Sequence, residues 1–181
     1  MDKQLVTLVN SSDQIQGYMD KHQAHEGEAQ LHRAASVFLF DDQDRLLVQQ
    51  RSQFKIVAPN QWANTVCGNV LKGESYEDCA YRRLRQELGI TTADIKPVYK
   101  FQYQVECNDK YGENEIDQVF LGRCSELPTP NPQEVRKTDW LSFSKLKDFD
   151  STVLKSKTLS PWFELMLNDH KLISKINNFL N

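Results

Sequence analysis

The sequence predicts an α/β fold, α+β in detail, with helices on both faces of a mixed β-sheet. Three observations predict it. Residues Tyr76 to Leu88 carry apolar side chains at helical spacing between two capping signals. Short strand-like runs separated by polar turns recur on both sides of that segment. Pro161 to Leu180 reads as a further amphipathic helix.

In chain order, Leu5 to Val9 reads as a first strand, followed by the turn-like Asn10-Ser11-Ser12-Asp13. The polar, histidine-bearing stretch from Lys21 to His32 reads as loop with some helix. Ala35 to Phe40 and Leu46 to Gln50 are strand-like around Asp41-Asp42-Gln43-Asp44, a loop of hairpin length. Val57 to Leu71 contains Pro59, Trp62, Asn64, Cys67 and Gly68 without helical period, and reads as loop leading into a strand and out again. In the helix at 76–88, Ser75 caps the start, Asp78 completes an acidic capping box, and Gly89 stands where the chain must turn left-handed. Tyr76, Cys79, Ala80, Leu84 and Leu88 would pack on the sheet, with Arg82, Arg85 and Gln86 mostly outside and Arg83 and Glu87 on the border of the stripe. Ile95 to Glu106 and Glu115 to Cys124 form a long strand pair around Asn108 to Gly112, and Lys137 to Leu141 a further short strand. The closing helix has Pro161 in its first turn and Trp162, Leu165, Met166, Leu172, Ile173, Ile176 and Phe179 on its apolar face.

A chain of 181 residues, 39% of them hydrophobic, can close one core, so a single domain over 1–181 is expected. Lys and Arg total 22 against 25 Asp and Glu, a formal charge of −3 spread along the chain, which argues against nucleic-acid or membrane-surface partners. No apolar run approaches the roughly 18 residues needed to cross a bilayer. The opening MDKQLVTLVNSSDQ lacks the zones of a secretory signal, and Cys67, Cys79, Cys107 and Cys124 form no C-x-x-C pair. Reduced thiols in a cytoplasmic protein are the expectation.

The chemistry concentrates in Gly68-Asn69-Val70-Leu71-Lys72-Gly73-Glu74 and Arg82-Arg83-Leu84-Arg85-Gln86-Glu87-Leu88-Gly89-Ile90. This stretch resembles the Nudix box, in which Gly68, Glu74, Arg82, Leu84, Glu87, Gly89 and Ile90 fall at the expected spacing. Arg83 and Gln86 stand where Nudix hydrolases carry Glu. Hydrolysis needs several helix carboxylates to hold Mg²⁺ against a diphosphate and activate water, so Arg83 inverts the charge where it matters.

The surrounding residues resemble the type 1 isopentenyl-diphosphate isomerases, a non-hydrolytic Nudix branch, with which the chain is similar from about residue 5 to 165. The likeness rests on Leu31 to Phe40, Asn64-Thr65-Val66-Cys67-Gly68, Glu113-Asn114-Glu115 and Ser160-Pro161-Trp162. It implies a Nudix-like α/β/α sandwich and a metal-dependent isomerase of isopentenyl diphosphate; a monomer or weak homodimer is the expectation, set by no motif in the sequence. It further implies that His25, His32, Glu113 and Glu115 bind a divalent metal, that Cys67 and Glu115 exchange protons with substrate, and that Lys21, Arg51, Lys55 and Arg83 surround the diphosphate. Glu87 would hold a diphosphate-bound Mg²⁺, Tyr103 would hydrogen-bond beside the acid, and Trp162 would lie over the cationic carbon. Asn69 occupies the position of a further metal-binding histidine. An amide oxygen is a poorer ligand than imidazole for Mn²⁺ or Zn²⁺, which favours Mg²⁺. Two other readings stay open: a Nudix diphosphohydrolase of a nucleotide or prenyl diphosphate, disfavoured by Arg83 and Gln86, and a non-catalytic diphosphate-binding relative, motivated by Asn69.

Taken singly, each residue has an ordinary explanation. A strand cysteine is most often a small buried hydrophobe, a terminal-helix tryptophan is most often core, and isolated Lys and Arg are mostly solvated. Their joint occurrence at matching spacing carries the reading.

Overall fold

A computed structural model of the chain describes residues 4–147 and 157–181, so the first three residues of the opening stretch lie outside it. Among the described residues one mixed sheet contains β1 (Leu5–Val9), β2 (Ile15–Asp20), β3 (His32–Phe40), β4 (Arg45–Arg51), β5 (Trp62–Ala63), β6 (Val66–Asn69), β7 (Asp94–Glu106), β8 (Gly112–Arg123) and β9 (Val135–Ser142). The helices are α1 (Lys21–Ala24), α2 (Tyr76–Leu88), α3 (Phe143–Lys147), α4 (Pro161–Asn168) and α5 (His170–Leu180).

Strand β3 organises the sheet. It runs parallel to β8, with His32 opposite Glu115 and Phe40 opposite Arg123, and antiparallel to β6, with Ser36 opposite Cys67 and Ala34 opposite Asn69. Strand β8 then pairs antiparallel with β7, Tyr103 opposite Glu115. Side chains alternate between faces along a strand, so the two faces of β3 build two cores. Phe38 and Phe40 join Val119, Leu121, Trp162, Phe163, Met166, Leu172 and Ile176 under α4 and α5. Ala35, Val37 and Leu39 join Cys79, Ala80, Leu84 and Leu88 under α2. The α/β/α layering therefore follows from the pattern of alternation.

Helix α2 has the expected bounds and ends. Ser75 Oγ accepts from the Asp78 amide at 3.0 Å, the Asp78 carboxylate accepts from the Ser75 amide at 3.0 Å, and Gly89 turns left-handed at φ 69°. Arg83 and Glu87 differ from expectation: both are buried rather than bordering the apolar stripe.

Five further differences have local causes. The segment Ile15–Asp20 is a strand, β2, formed by backbone pairing with β1 and half-exposed or exposed throughout, so no hydrophobic alternation announced it. Strand β3 starts at His32 rather than Ala35, because parallel pairing with β8 extends it, and β9 reaches from Val135 to Ser142 along β4. The expected hairpin is a single rung, Phe40 opposite Leu46, after which β4 diverges to pair with β9 and β5. The closing helix is broken at Asp169, where ψ is 103°. The Asp169 carboxylate caps α5 by accepting from the amides of Lys171 (2.8 Å) and Leu172 (3.1 Å), and it also accepts the Tyr99 hydroxyl at 2.9 Å. Among the described residues no helix is long and apolar enough to cross a membrane.

Candidate active site

The sheet places its polar residues at one end of the β6–β3–β8–β7 layer, on the face covered by α4 and α5. Glu113 and Glu115 of β8 point the same way by alternation, with His32 of β3 beside Glu115 and Asn69 of β6 across Ala34. His25 arrives separately, at the end of α1. Its loop is clasped to the β7–β8 turn by bonds from Gly112 N to His25 O and from Gly27 N to Lys110 O, both 2.9 Å. A side chain at Gly112 would meet the Gly27 carbonyl oxygen at 2.9 Å, so glycine is required for that close approach.

The imidazole Nε2 and carboxylate oxygen atoms of His25, His32, Glu113 and Glu115 lie within 4.8 Å of one another, and all four residues are buried. Nδ1 of His25 is 2.7 Å from the Lys21 carbonyl and Nδ1 of His32 is 2.7 Å from the Gln30 carbonyl. A carbonyl oxygen only accepts, so each Nδ1 carries a proton and each ring turns inward Nε2, the nitrogen with a lone pair to give. There His25 Nε2 faces Glu113 at 3.0 Å and His32 Nε2 faces Glu115 at 3.3 Å. Lone pairs facing carboxylates require a positive centre between them, and the donor set suits a divalent ion. Between His25 and Glu113 a proton can also take that place: despite burial, Glu113 raises the His25 pKa, and His25 in turn holds Glu113 down at about 2. Asn69 presents its amide nitrogen to the cluster, 3.4 Å from His25 Nε2, 3.0 Å from His32 Nε2 and 3.1 Å from Glu115 Oε1.

Glu115 lies at the junction between this cluster and a cavity of about 220 Å³. Burial and the Glu113 charge raise its pKa, and its second oxygen accepts the Tyr103 hydroxyl at 2.5 Å. Burial and Glu115 together keep that phenol protonated. Cys67 lines the same cavity, its thiol pushed up to about 12 by burial. Trp162 also lines it, with the Arg51 guanidinium 4.9 Å from its ring centre. Arg51 donates to the Val57 carbonyl at 3.1 and 3.0 Å and reaches to 3.9 Å from Cys67 Sγ.

Lys21, Lys55 and Arg83 line the remaining wall. Burial, reinforced by the Lys55 and Arg83 charges, pulls the Lys21 ammonium down to about 8. Glu87 does not line the cavity. It is buried against the Arg83 guanidinium, accepts Gln49 Nε2 at 2.5 Å and lies 4.0 Å from Lys55 Nζ. His32 likewise reaches the cavity only through Glu115 and Asn69. Eleven of the sequence-derived residues, namely Lys21, His25, Arg51, Lys55, Cys67, Asn69, Arg83, Tyr103, Glu113, Glu115 and Trp162, share the cavity wall.

Three neighbours escaped the sequence reading. Gln49 orients Glu87 from β4, and Glu134 pairs with Lys55 (2.6 Å) and Arg83 (3.1 Å) from the loop before β9. Asp117, fully buried and bonded by Ser36 Oγ at 2.7 Å, continues the alternation of Glu113 and Glu115. That alternation was a usable signal for Asp117. None existed for Glu134.

The family model described as NUDIX domain matches residues 30–163. An isopentenyl-diphosphate Delta-isomerase of Salmonella typhi is 32% identical over 180 residues, covering 99% of this chain and 98% of the relative. Among solved structures, DR0079 of Deinococcus radiodurans shares the fold at TM-score 0.72, with 22% identity over 90% of this chain and 96% of that one. The NUDIX domain of Shewanella oneidensis NrtR, complexed with ADP ribose, shares it at TM-score 0.59, with 16% identity over 83% and 88% of the two chains. Helix α2 with its Nudix-box residues, the buried His–Glu cluster and this near full-length likeness agree: the chain belongs to the type 1 isopentenyl-diphosphate isomerases of the Nudix superfamily.

Proposed function

We propose that this chain, acting as a single domain over residues 1–181, isomerises isopentenyl diphosphate to dimethylallyl diphosphate. The observation that carries the reading is the opening of Cys67 and Glu115 into one cavity whose wall also carries Lys21, Arg51, Lys55 and Arg83. The basic residues bind the diphosphate, and that remote binding energy orients a hydrocarbon end that offers no polar grip. One of the pair Cys67 and Glu115 protonates the terminal alkene carbon, leaving a tertiary carbocation, and the other removes a proton from the carbon on the opposite side of the cationic centre.

Both groups fit this exchange. The high pKa of the Cys67 thiol keeps it protonated at rest, and the Tyr103 hydroxyl holds the Glu115 carboxyl in one orientation. Trp162 offers its ring face to the cation once Arg51 moves to the diphosphate, an interaction worth about 2 kcal/mol when desolvated. The apolar cover of α4 keeps water from quenching the cation. A divalent ion held by His25, His32, Glu113 and Glu115, with Mg²⁺ favoured over Mn²⁺ or Zn²⁺ by Asn69, would supply positive charge that tunes the proton affinity of Glu115.

Incubation with isopentenyl diphosphate and Mg²⁺ in heavy water tests this. Deuterium should enter both substrate and product, and Cys67→Ala and Glu115→Gln should each abolish turnover with the fold retained. Release of phosphate without exchange would replace isomerisation by hydrolysis, and no exchange with Mg²⁺, Mn²⁺ or Zn²⁺ would remove the proposal.

A further inference from the structure

Glu134 stands among the basic residues of the cavity wall with no role in the chemistry above. Its carboxylate accepts Lys55 Nζ at 2.6 Å and Arg83 Nη2 at 3.1 Å. Glu87 shares the same two cations from behind the cavity wall, so two acids and two bases alternate there. The two acids are mounted differently. Glu87 is 1% exposed on α2 and additionally tied to Gln49, whereas the Glu134 side chain is 28% exposed on a loop and, among the described residues, is bonded by these two cations. The backbone at Glu134 is held, by its N–H to the Asn131 carbonyl at 2.9 Å and by its own carbonyl accepting Ser52 N–H at 3.0 Å. Ser52 also accepts the Lys55 amide at 3.3 Å, so the loops bearing Glu134 and Lys55 are joined by backbone bonds. Only rotation of a side chain is therefore needed to withdraw the carboxylate.

We propose that Glu134 is a displaceable counter-anion of the phosphate subsite, a positioning residue that holds Lys55 and Arg83 toward the cavity and yields them to phosphoryl oxygens when ligand enters. The inference rests on the diphosphate reading of the pocket. Lys21, Arg51, Lys55 and Arg83 all line this wall and would repel one another without a compensating anion; Glu87 answers part of that repulsion permanently and Glu134 the rest provisionally. The arrangement also sets a threshold for ligands. A polyanion such as a diphosphate can compete with a carboxylate bonded to two cations, while a singly charged anion gains too little to do so.

Calorimetric titration with inorganic pyrophosphate, run both with Mg²⁺ and with a metal chelator, tests the idea. Glu134→Gln is expected to bind pyrophosphate about tenfold more tightly than the parent protein, since a partly exposed competitor of like charge has been removed. Glu134→Ala should shift affinity in the same direction, and Glu134→Asp, which keeps the charge, should stay near the parent value. The two neutral variants should also melt at lower temperature without ligand, because the repulsion they uncover is the free energy returned on binding. Unchanged or weaker binding by both neutral variants would overturn the role of Glu134 while leaving the diphosphate reading intact. No binding by any of the proteins would instead sink that reading, and this inference with it.

Discussion

Asn69 turns its amide N–H toward the cluster, where a metal-binding side chain has to offer a lone pair. With its nitrogen toward His32 and Glu115 the amide bridges these two residues, and only its oxygen could serve a metal ion, which requires the amide to turn over. Asn69→His is therefore expected to raise Mn²⁺ or Zn²⁺ affinity by about tenfold or more, read by metal titration; an unchanged affinity would remove residue 69 from the site. Lys21 gives a pH signature. Its pKa is about 8 without ligand and must rise beside a bound polyanion, so binding takes up a proton above that pH. The ratio of parent to Lys21→Met pyrophosphate affinity, in which the ligand's own titration cancels, should be constant below about pH 8 and fall by up to about tenfold per unit above it. At this scale the sequence was most informative where a motif or an alternation joined residues, as in Glu113, Asn114 and Glu115. Glu134 was illegible because only tertiary folding brings it to Lys55 and Arg83, and the orientation of Asn69 depends on partners from three separate elements.

Elements were legible to the extent that their own side chains decide them. Helix α2 carries its cap, its stop and its apolar stripe within one segment, and its limits read directly from Ser75, Asp78 and Gly89. Strand β2 depends on backbone pairing with β1 and the break at Asp169 on Tyr99, which is distant in sequence, and neither could be read from its own side chains. Strand β6 meets α2 at Gly68, where a Cβ would lie 2.8 Å from both Cγ and Cδ of Arg83. Gly68→Ala should thus push Arg83 away from Glu87 and Glu134. Weakened pyrophosphate binding, with the thermal midpoint lowered by only a few degrees, is the expected result; a binding isotherm matching that of the parent would show that the helix can absorb the methyl group.

The whole molecule depends on two cores, one on each face of β3, and the cavity belongs to the core closed by α4 and α5. Phe163 is 1% exposed and packs on Phe38 with ring centres 6.1 Å apart. Phe163→Ala should cost about 3–5 kcal/mol in denaturant unfolding, far more than any substitution at the pocket edge. A loss under 1 kcal/mol would mean that α4 is not essential to that core. The α/β/α layering was legible from periodicity, whereas the divergence of β3 and β4 after one rung was not, because the sequence between them reads as an ordinary hairpin. The C-terminal helices are moored at their beginning: the Trp62 amide bonds Thr158 O, and the Ser160 amide bonds Trp62 O, both at 2.8 Å. The Trp162 indole two residues further on is thus located by main-chain stitching to β5. Mutational drift over the distal turns of α5 can therefore erode thermal endurance while leaving the aromatic wall of the reaction chamber where it was.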